Sequence, residues 1–247
     1  MSQAVALAHP GVEKADRSFL WRRLHSLSGV VPVGGFLCFH LFENMAALKS
    51  PARYDEMVHT LNTMLPRAYF HGVELLLLLG PLLFHALYGL YIAQTGQANP
   101  TRYPYATAWA YWVQRASGLV AFVYLLVHVG VLRVSVTMFG NHLWEAPPGA
   151  RAGMDLVTYN DMAAHLGNAT MMKQVSLFSG PHIFALYLVG TLLSIYHFTN
   201  GLNGFAWTWG IFAGRVAQRR VRVVGWLLFA ALSAVTLNIL FQMRYGA

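Results

Sequence analysis

Four histidines, His40, His85, His128 and His197, lie deep inside four different apolar stretches of this 247-residue chain. An imidazole surrounded by hydrocarbon needs a partner, so its presence points to a functional site. A single such histidine is explained by a hydrogen bond between helices. Four, one per stretch, ask for more. Neutral imidazole is a good axial ligand for haem iron, and two axial histidines leave no open position, which suits electron transfer.

The stretches that carry them run near Ser28–Leu48, His71–Ala93, Ser117–Phe139 and Ser179–Leu202, with a fifth near Val224–Met243. Each is long enough for a ~30 Å hydrocarbon core, which takes about 20 helical residues. Runs such as Leu75–Leu79 contradict the strict alternation of a barrel strand, so the expected fold is an all-α integral membrane bundle of five transmembrane helices. Composition agrees. Only 11% of residues are charged and 56% are hydrophobic, too little polar surface for a soluble domain. Cys38 is the single cysteine, which excludes a disulfide framework, a cysteine-ligated cluster and a covalent haem attachment. The net charge of +8 comes with no basic stripe, zinc-finger spacing or P-loop, so no nucleic-acid partner is expected. The first stretch begins too late, and Ala4–Ala8 is too short, for a cleavable signal peptide.

Depth sorts the histidines. Counted from the proposed inner boundary at 1.5 Å per residue, His40 and His128 lie ~17–18 Å deep and His85 and His197 ~8–12 Å deep. That makes an outer pair, His40 with His128, and an inner pair, His85 with His197, hence two haems. A weak repeat supports the sorting. Phe84-His85-x-x-x-Gly89-Leu90 matches Tyr196-His197-x-x-x-Gly201-Leu202, and a glycine one turn from the ligand leaves room for a flat macrocycle. Ser28-Gly29 and Ser117-Gly118 stand 11 and 10 residues before His40 and His128. Small residues also simply let membrane helices pack closely. A rival pairing, His71 with His182 beside His85 with His197, would place both haems between two helices, but leaves His40 and His128 without a role.

Lysines and arginines set the orientation. The N-terminal arm and the loops after the second and fourth stretches carry ten of them against two carboxylates; the opposite side carries seven against seven. This modest bias predicts a cytoplasmic N-terminus and an external C-terminus. A long external loop spans residues 140–178, and Tyr54–Thr63 is a candidate interfacial helix. Neither loop could hold a catalytic domain, so one membrane domain, 1–247, is expected. At the inner interface Arg22, Arg23, His25 and Arg115 could meet haem propionates, though snorkelling to lipid headgroups explains the arginines equally well. Glu74, in the outer part of the second stretch, is a candidate proton relay for quinone chemistry; it could also simply reach the external interface.

With these residues in place, the chain resembles the cytochrome b membrane-anchor subunit of the two-haem (type B) succinate:menaquinone oxidoreductases and fumarate reductases. The likeness runs from about Ser18 to Gln242. It is carried by Phe19-Leu-Trp-Arg-Arg-Leu-His-Ser-Leu-Ser-Gly-Val-Val-Pro-Val-Gly34, Pro81-Leu-Leu-Phe-His-Ala-Leu-Tyr-Gly-Leu-Tyr-Ile-Ala93 and Gln114-Arg-Ala-Ser-Gly118. Val157-Thr-Tyr-Asn-Asp-Met162 and Tyr196-His-Phe-Thr-Asn-Gly-Leu202 add to it. The family's four haem-ligand positions fall on His40, His85, His128 and His197. The outer loop is longer than the family leads one to expect, around Asn141–Asp155.

The resemblance implies two haem b groups, menaquinone as substrate, and two partners. A flavoprotein subunit would oxidise succinate, and an iron–sulfur subunit would pass electrons to the inner haem. The chain itself has neither a dinucleotide fingerprint nor cluster-binding cysteines, which agrees with that division. Two other functions stay open at this level. One is the cytochrome b subunit of another quinone-linked enzyme, such as a hydrogenase or formate dehydrogenase; the other is a transporter using its histidines as a proton relay.

Overall fold

The computed structural model describes residues 10–50, 53–54, 56–57, 60–61, 64–96, 107–129, 181–211 and 214–245, and their regular structure is helical throughout. The first long helix, α1, joins an α-helix over Pro10–Ser28, a π-helical stretch over Gly29–Val33 and an α-helix over Gly34–Asn44, closed by a 3₁₀ turn at Met45–Leu48. Pro32 accounts for the interruption. It has no N–H to give the ladder, and its ring crowds the carbonyl one turn back, so the helix widens there. The second, α2, is built the same way from Arg67–Val73, a π-helical Glu74–Leu79 and Gly80–Thr95, with Pro81 just after the widened turn. The remaining helices are α3 (Thr107–Val129), α4 (Pro181–Thr208) and α5 (Arg215–Tyr245).

A tight turn closes α4. Gly210 takes a φ of 66°, while the Gly210 N–H donates to the Trp207 carbonyl and the Ile211 N–H to the Ala206 carbonyl, each at 3.1 Å. This is the paired C-terminal cap that needs a left-handed residue, which glycine supplies without strain.

Among the described residues five helices carry the expected stretches, the third as far as Val129, but their ends differ. The α1, α3 and α5 helices begin before the expected spans, and α4 runs past Leu202 to Thr208. Backbone hydrogen bonding carries a helix on beyond the apolar window that a hydrophobic count detects. Among the described residues, four helices are long and apolar enough to cross a membrane, over Ser18–Leu48, Tyr69–Thr95, Trp109–Val129 and Val216–Gln242. The fourth expected span, α4, is not one of them. Its described part carries Thr191, Ser194, His197, Thr199, Asn200 and Asn203, polar groups that a helix surrounded by protein can accommodate. The outer part of the third expected span and the 140–178 loop lie outside the described residues. Of Tyr54–Thr63, helical backbone is described at residues 54, 56, 57, 60 and 61.

Packing runs around a ring: α1 on α2, α2 on α3, α3 on α4 and α4 back onto α1, with α5 along the outside of α4 and against Met45–Leu48. The exterior is apolar, as at Leu76, 72% exposed, and Leu227, 65% exposed, while Ser117 and Thr199 are buried inside. Apolar outside and polar inside is what a lipid solvent selects. The diagonals of the ring, α1 with α3 and α2 with α4, meet through histidines.

Candidate functional site

Each diagonal holds one imidazole pair. The rings of His85 on α2 and His197 on α4 have centroids 6.0 Å apart and planes at 78°. Those of His40 on α1 and His128 on α3 are also 6.0 Å apart, at 75°. A metal–imidazole bond of about 2.0–2.1 Å puts two ligands on opposite sides of one metal at about this ring separation. Among the described residues no three His, Cys, Asp or Glu side chains converge on a point. Each site therefore offers two nitrogens, fewer than the three or four protein ligands of a typical zinc site but enough for the axial positions of a haem iron.

The inner pair is held by main chain. Nδ1–H of His85 donates to the His25 carbonyl at 2.9 Å, and Nδ1–H of His197 to the Gln114 carbonyl at 3.0 Å. The same carbonyls also accept from Ser28 Oγ at 2.9 Å and from Ser117 Oγ at 3.0 Å. These bonds assign the proton to Nδ1 and leave the Nε2 lone pair of both rings free for a metal. Glycines clear the space. A methyl group on Gly29 would overlap the His85 ring, and one on Gly118 would sit 2.7 Å from His197 Cε1.

The Ser-Gly pairs thus differ from the sequence reading, which tied them to His40 and His128 by distance along the chain. Across the bundle they face His85 and His197 instead, because each glycine lies one turn beyond the carbonyl that the neighbouring helix's imidazole binds. Gly89 and Gly201 are also placed differently from expectation. The space over Gly89 is taken by the His25 ring, whose Cε1 would lie 3.1 Å from an added methyl, and that over Gly201 by the Gln114 amide. His25 stacks on His85, with centroids 4.1 Å apart and planes within 6°. Gln114 donates from Nε2 to the His197 carbonyl at 3.0 Å and accepts from Asn200 at 2.8 Å. Sequence reasoning missed Gln114; the matching spacings His25-x-x-x-Gly29 and Gln114-x-x-x-Gly118 were the signal that would have found it.

The outer pair has a different environment. Phe36 stacks on His40 at 5.4 Å, and His128 packs between Tyr124 at 5.5 Å and Tyr187 at 5.7 Å. Side chains, Glu43 and Asn44, contact His40 where main chain serves the inner rings. Glu43 was not singled out in the sequence, although it too lies within a candidate span.

Of the interfacial donors, Arg22 is exposed. Arg23 donates to the Thr208 carbonyl at 3.1 Å and lies over the Phe19 and Trp209 rings. Arg115 donates to the carbonyls of Gly96 at 2.8 Å and Ile92 at 3.1 Å. Both guanidiniums therefore cap helix C-termini, Arg23 that of α4 and Arg115 that of α2. Arg23 Nε, Arg115 Nε and His25 Nδ1 are buried without a hydrogen-bond partner among the described residues, which leaves polar capacity at this end for acidic groups such as propionates. Glu74 lies 3.5 Å from His71 Nδ1 at the other end of α2, with 32% of its side chain exposed. The side chain of His182, which the rival pairing needs beside His71, lies outside the described residues.

Paired imidazoles on facing helices of an apolar-skinned bundle fit a membrane protein of the cytochrome b class. The chain is similar to the succinate dehydrogenase cytochrome b558 subunit of Bacillus subtilis (strain 168), 34% identical over 226 residues, or 92% of this chain and 97% of that one. It belongs to the family of succinate dehydrogenase cytochrome b subunits, which bears out the resemblance drawn from the sequence. No family model matches the chain, and no solved structure matches it.

Proposed function

We propose that this chain is the membrane anchor and electron conduit of a succinate:menaquinone oxidoreductase. It would be one five-span domain, α4 included, with its N-terminus on the cytoplasmic side of a bacterial membrane. The observation that carries the reading is the pair of imidazole couples, each 6.0 Å between centroids, stacked at two depths of one helix ring. Haem b, when bound, supplies a one-electron carrier at each couple.

The chain's own residues do the rest. His85 and His197 would hold the inner iron by Nε2, their tautomers set by the His25 and Gln114 carbonyls. His40 and His128 would hold the outer iron beside the Phe36, Tyr124 and Tyr187 rings. Arg23, Arg115 and His25 direct buried polar atoms to the inner end, where propionates need counter-charges. At the outer end Glu74 and His71 form a pair able to hold a proton for a quinone oxygen. Exposed Arg22, Arg219, Arg220 and Arg222 give the inner face a positive field that helps dock the iron–sulfur and flavoprotein subunits.

The test is a reduced-minus-oxidised spectrum of the purified complex with a haem assay. A b-type spectrum with two haems per copy of this chain is expected. A colourless protein, or a single haem, would overturn the reading.

A further inference from the structure

His40 differs from the inner histidines in what faces its second nitrogen. Asn44 settles which nitrogen that is. Its Nδ2 donates to the His40 carbonyl at 2.6 Å and lies 3.3 Å from His40 Nε2, while its Oδ1 accepts from the Tyr54 hydroxyl at 3.5 Å. An amide nitrogen only donates, so Nε2 presents a lone pair and Nδ1 carries the proton; a metal at Nε2 would displace the Asn44 amide from that lone pair and leave Asn44 its bond to the His40 carbonyl. That Nδ1 lies 3.5 Å from Glu43 Oε2, one turn along α1. The Glu43 side chain is 15% exposed, whereas Glu56, paired with Arg53, is 62% exposed. A carboxylate so shielded from water acts on its neighbour through a low dielectric.

We propose that Glu43 is the positioning residue for His40, accepting from Nδ1–H so that Nε2 becomes a stronger donor to the outer haem iron. The inference rests on the reading of His40 as an iron ligand. A carboxylate behind a metal-bound imidazole raises its basicity more than a neutral carbonyl does, and a more basic axial ligand favours the oxidised metal. Glu43 would therefore hold the outer haem's potential below the value His40 alone would set, while the inner histidines, backed by the His25 and Gln114 carbonyls, have no such carboxylate behind them among the described residues. The two sites share a 6.0 Å ring pair and differ in this partner.

The experiment is a redox titration of the haem spectrum in the assembled complex, with haem content measured alongside. His40→Ala identifies the outer component as the one it removes. Glu43→Gln should keep both haems and shift that component alone toward the reduced form, by about tenfold in its redox equilibrium (~59 mV for one electron). Glu43→Asp should fall between Glu43→Gln and the wild type, and Glu56→Gln should leave the titration unmoved. If Glu43→Gln loses the outer haem while Glu43→Asp retains it, the proposal also stands; loss from both would mark a merely structural role and overturn it. An unshifted outer component in Glu43→Gln, or an equal shift in Glu56→Gln, would overturn it as well. Both haems retained in His40→Ala would defeat the ligand reading first, and the inference with it.

Discussion

His85 donates from Nδ1 to the carbonyl of His25 at 2.9 Å, across two helices and 60 residues of sequence. His197 repeats the contact with the carbonyl of Gln114, 83 residues away. In both cases a serine braces the same carbonyl and a glycine one turn on makes room for the ring. The inner pair is thus held by backbone on both sides, and a backbone acceptor cannot be removed by changing a side chain. What can be removed is the space.

Replacing Gly29 with Val is expected to push His85 off its carbonyl and remove the inner haem while sparing the outer one. Gly118→Ala, with the milder overlap, should weaken haem retention without abolishing it; overpacking of this kind costs about 1–3 kcal/mol. Gly35→Ala is the control, since nothing lies within 4 Å of its added methyl. Haem content and the low-temperature spectrum of each variant check the ordering.

Single changes His85→Ala and His197→Ala should delete the same spectral component, and the double change should do little more. His40→Ala and His128→Ala should together define the other. A site with one axial ligand has an open position in an apolar pocket, so affinity and low-spin character are lost at once. Should His40→Ala and His85→Ala remove a common component, the pairing across the diagonals is wrong.

Arg115 binds two carbonyls at the end of α2, and Arg22 is exposed. Hydrogen bonds from a charged group are worth about 1.5–3 kcal/mol each, whereas a surface change away from such features stays within about 0.5 kcal/mol. Arg115→Leu should therefore lower the thermal midpoint of the detergent-solubilised complex distinctly, and Arg22→Gln hardly at all. Equal midpoints for the two variants would argue against the capping role.

Glu74→Gln should slow menaquinone reduction while both haems stay bound, because the variant keeps the size of the side chain but cannot pass a proton. His71→Ala should slow it in the same direction through the loss of the 3.5 Å partner. Steady-state turnover with a menaquinone analogue reads this out, and unchanged rates in Glu74→Gln would reject the relay.

Gln114→Ala should retain both haems. The carbonyl that receives His197 Nδ1–H is main chain and survives the change, while the bonds to the His197 carbonyl and from Asn200 are lost. A net hydrogen bond contributes about 0.5–1.5 kcal/mol, so a lower thermal midpoint with an unaltered spectrum is expected. Disappearance of the inner component would show that the side chain, not the main chain, holds the site.

Much of this molecule is local in origin, and that part was legible in the sequence. Apolar length marks out helices, because lipid leaves the backbone no other partner. A constant rise per residue then turns position along the chain into depth, and depth sorts His40 with His128 and His85 with His197, the pairs the structure brings together. Depth says nothing about rotation around a helix axis or about which neighbour a face meets. Those depend on how five helices pack, and they decided that Gly29 and Gly118 serve the inner rings, and that Gly89 and Gly201 lie against His25 and Gln114. They also turned Arg23 and Arg115 onto helix ends and placed Glu43 behind His40. A contact between residues 60 or 83 positions apart has no periodicity to announce it, so only the tertiary structure could supply it.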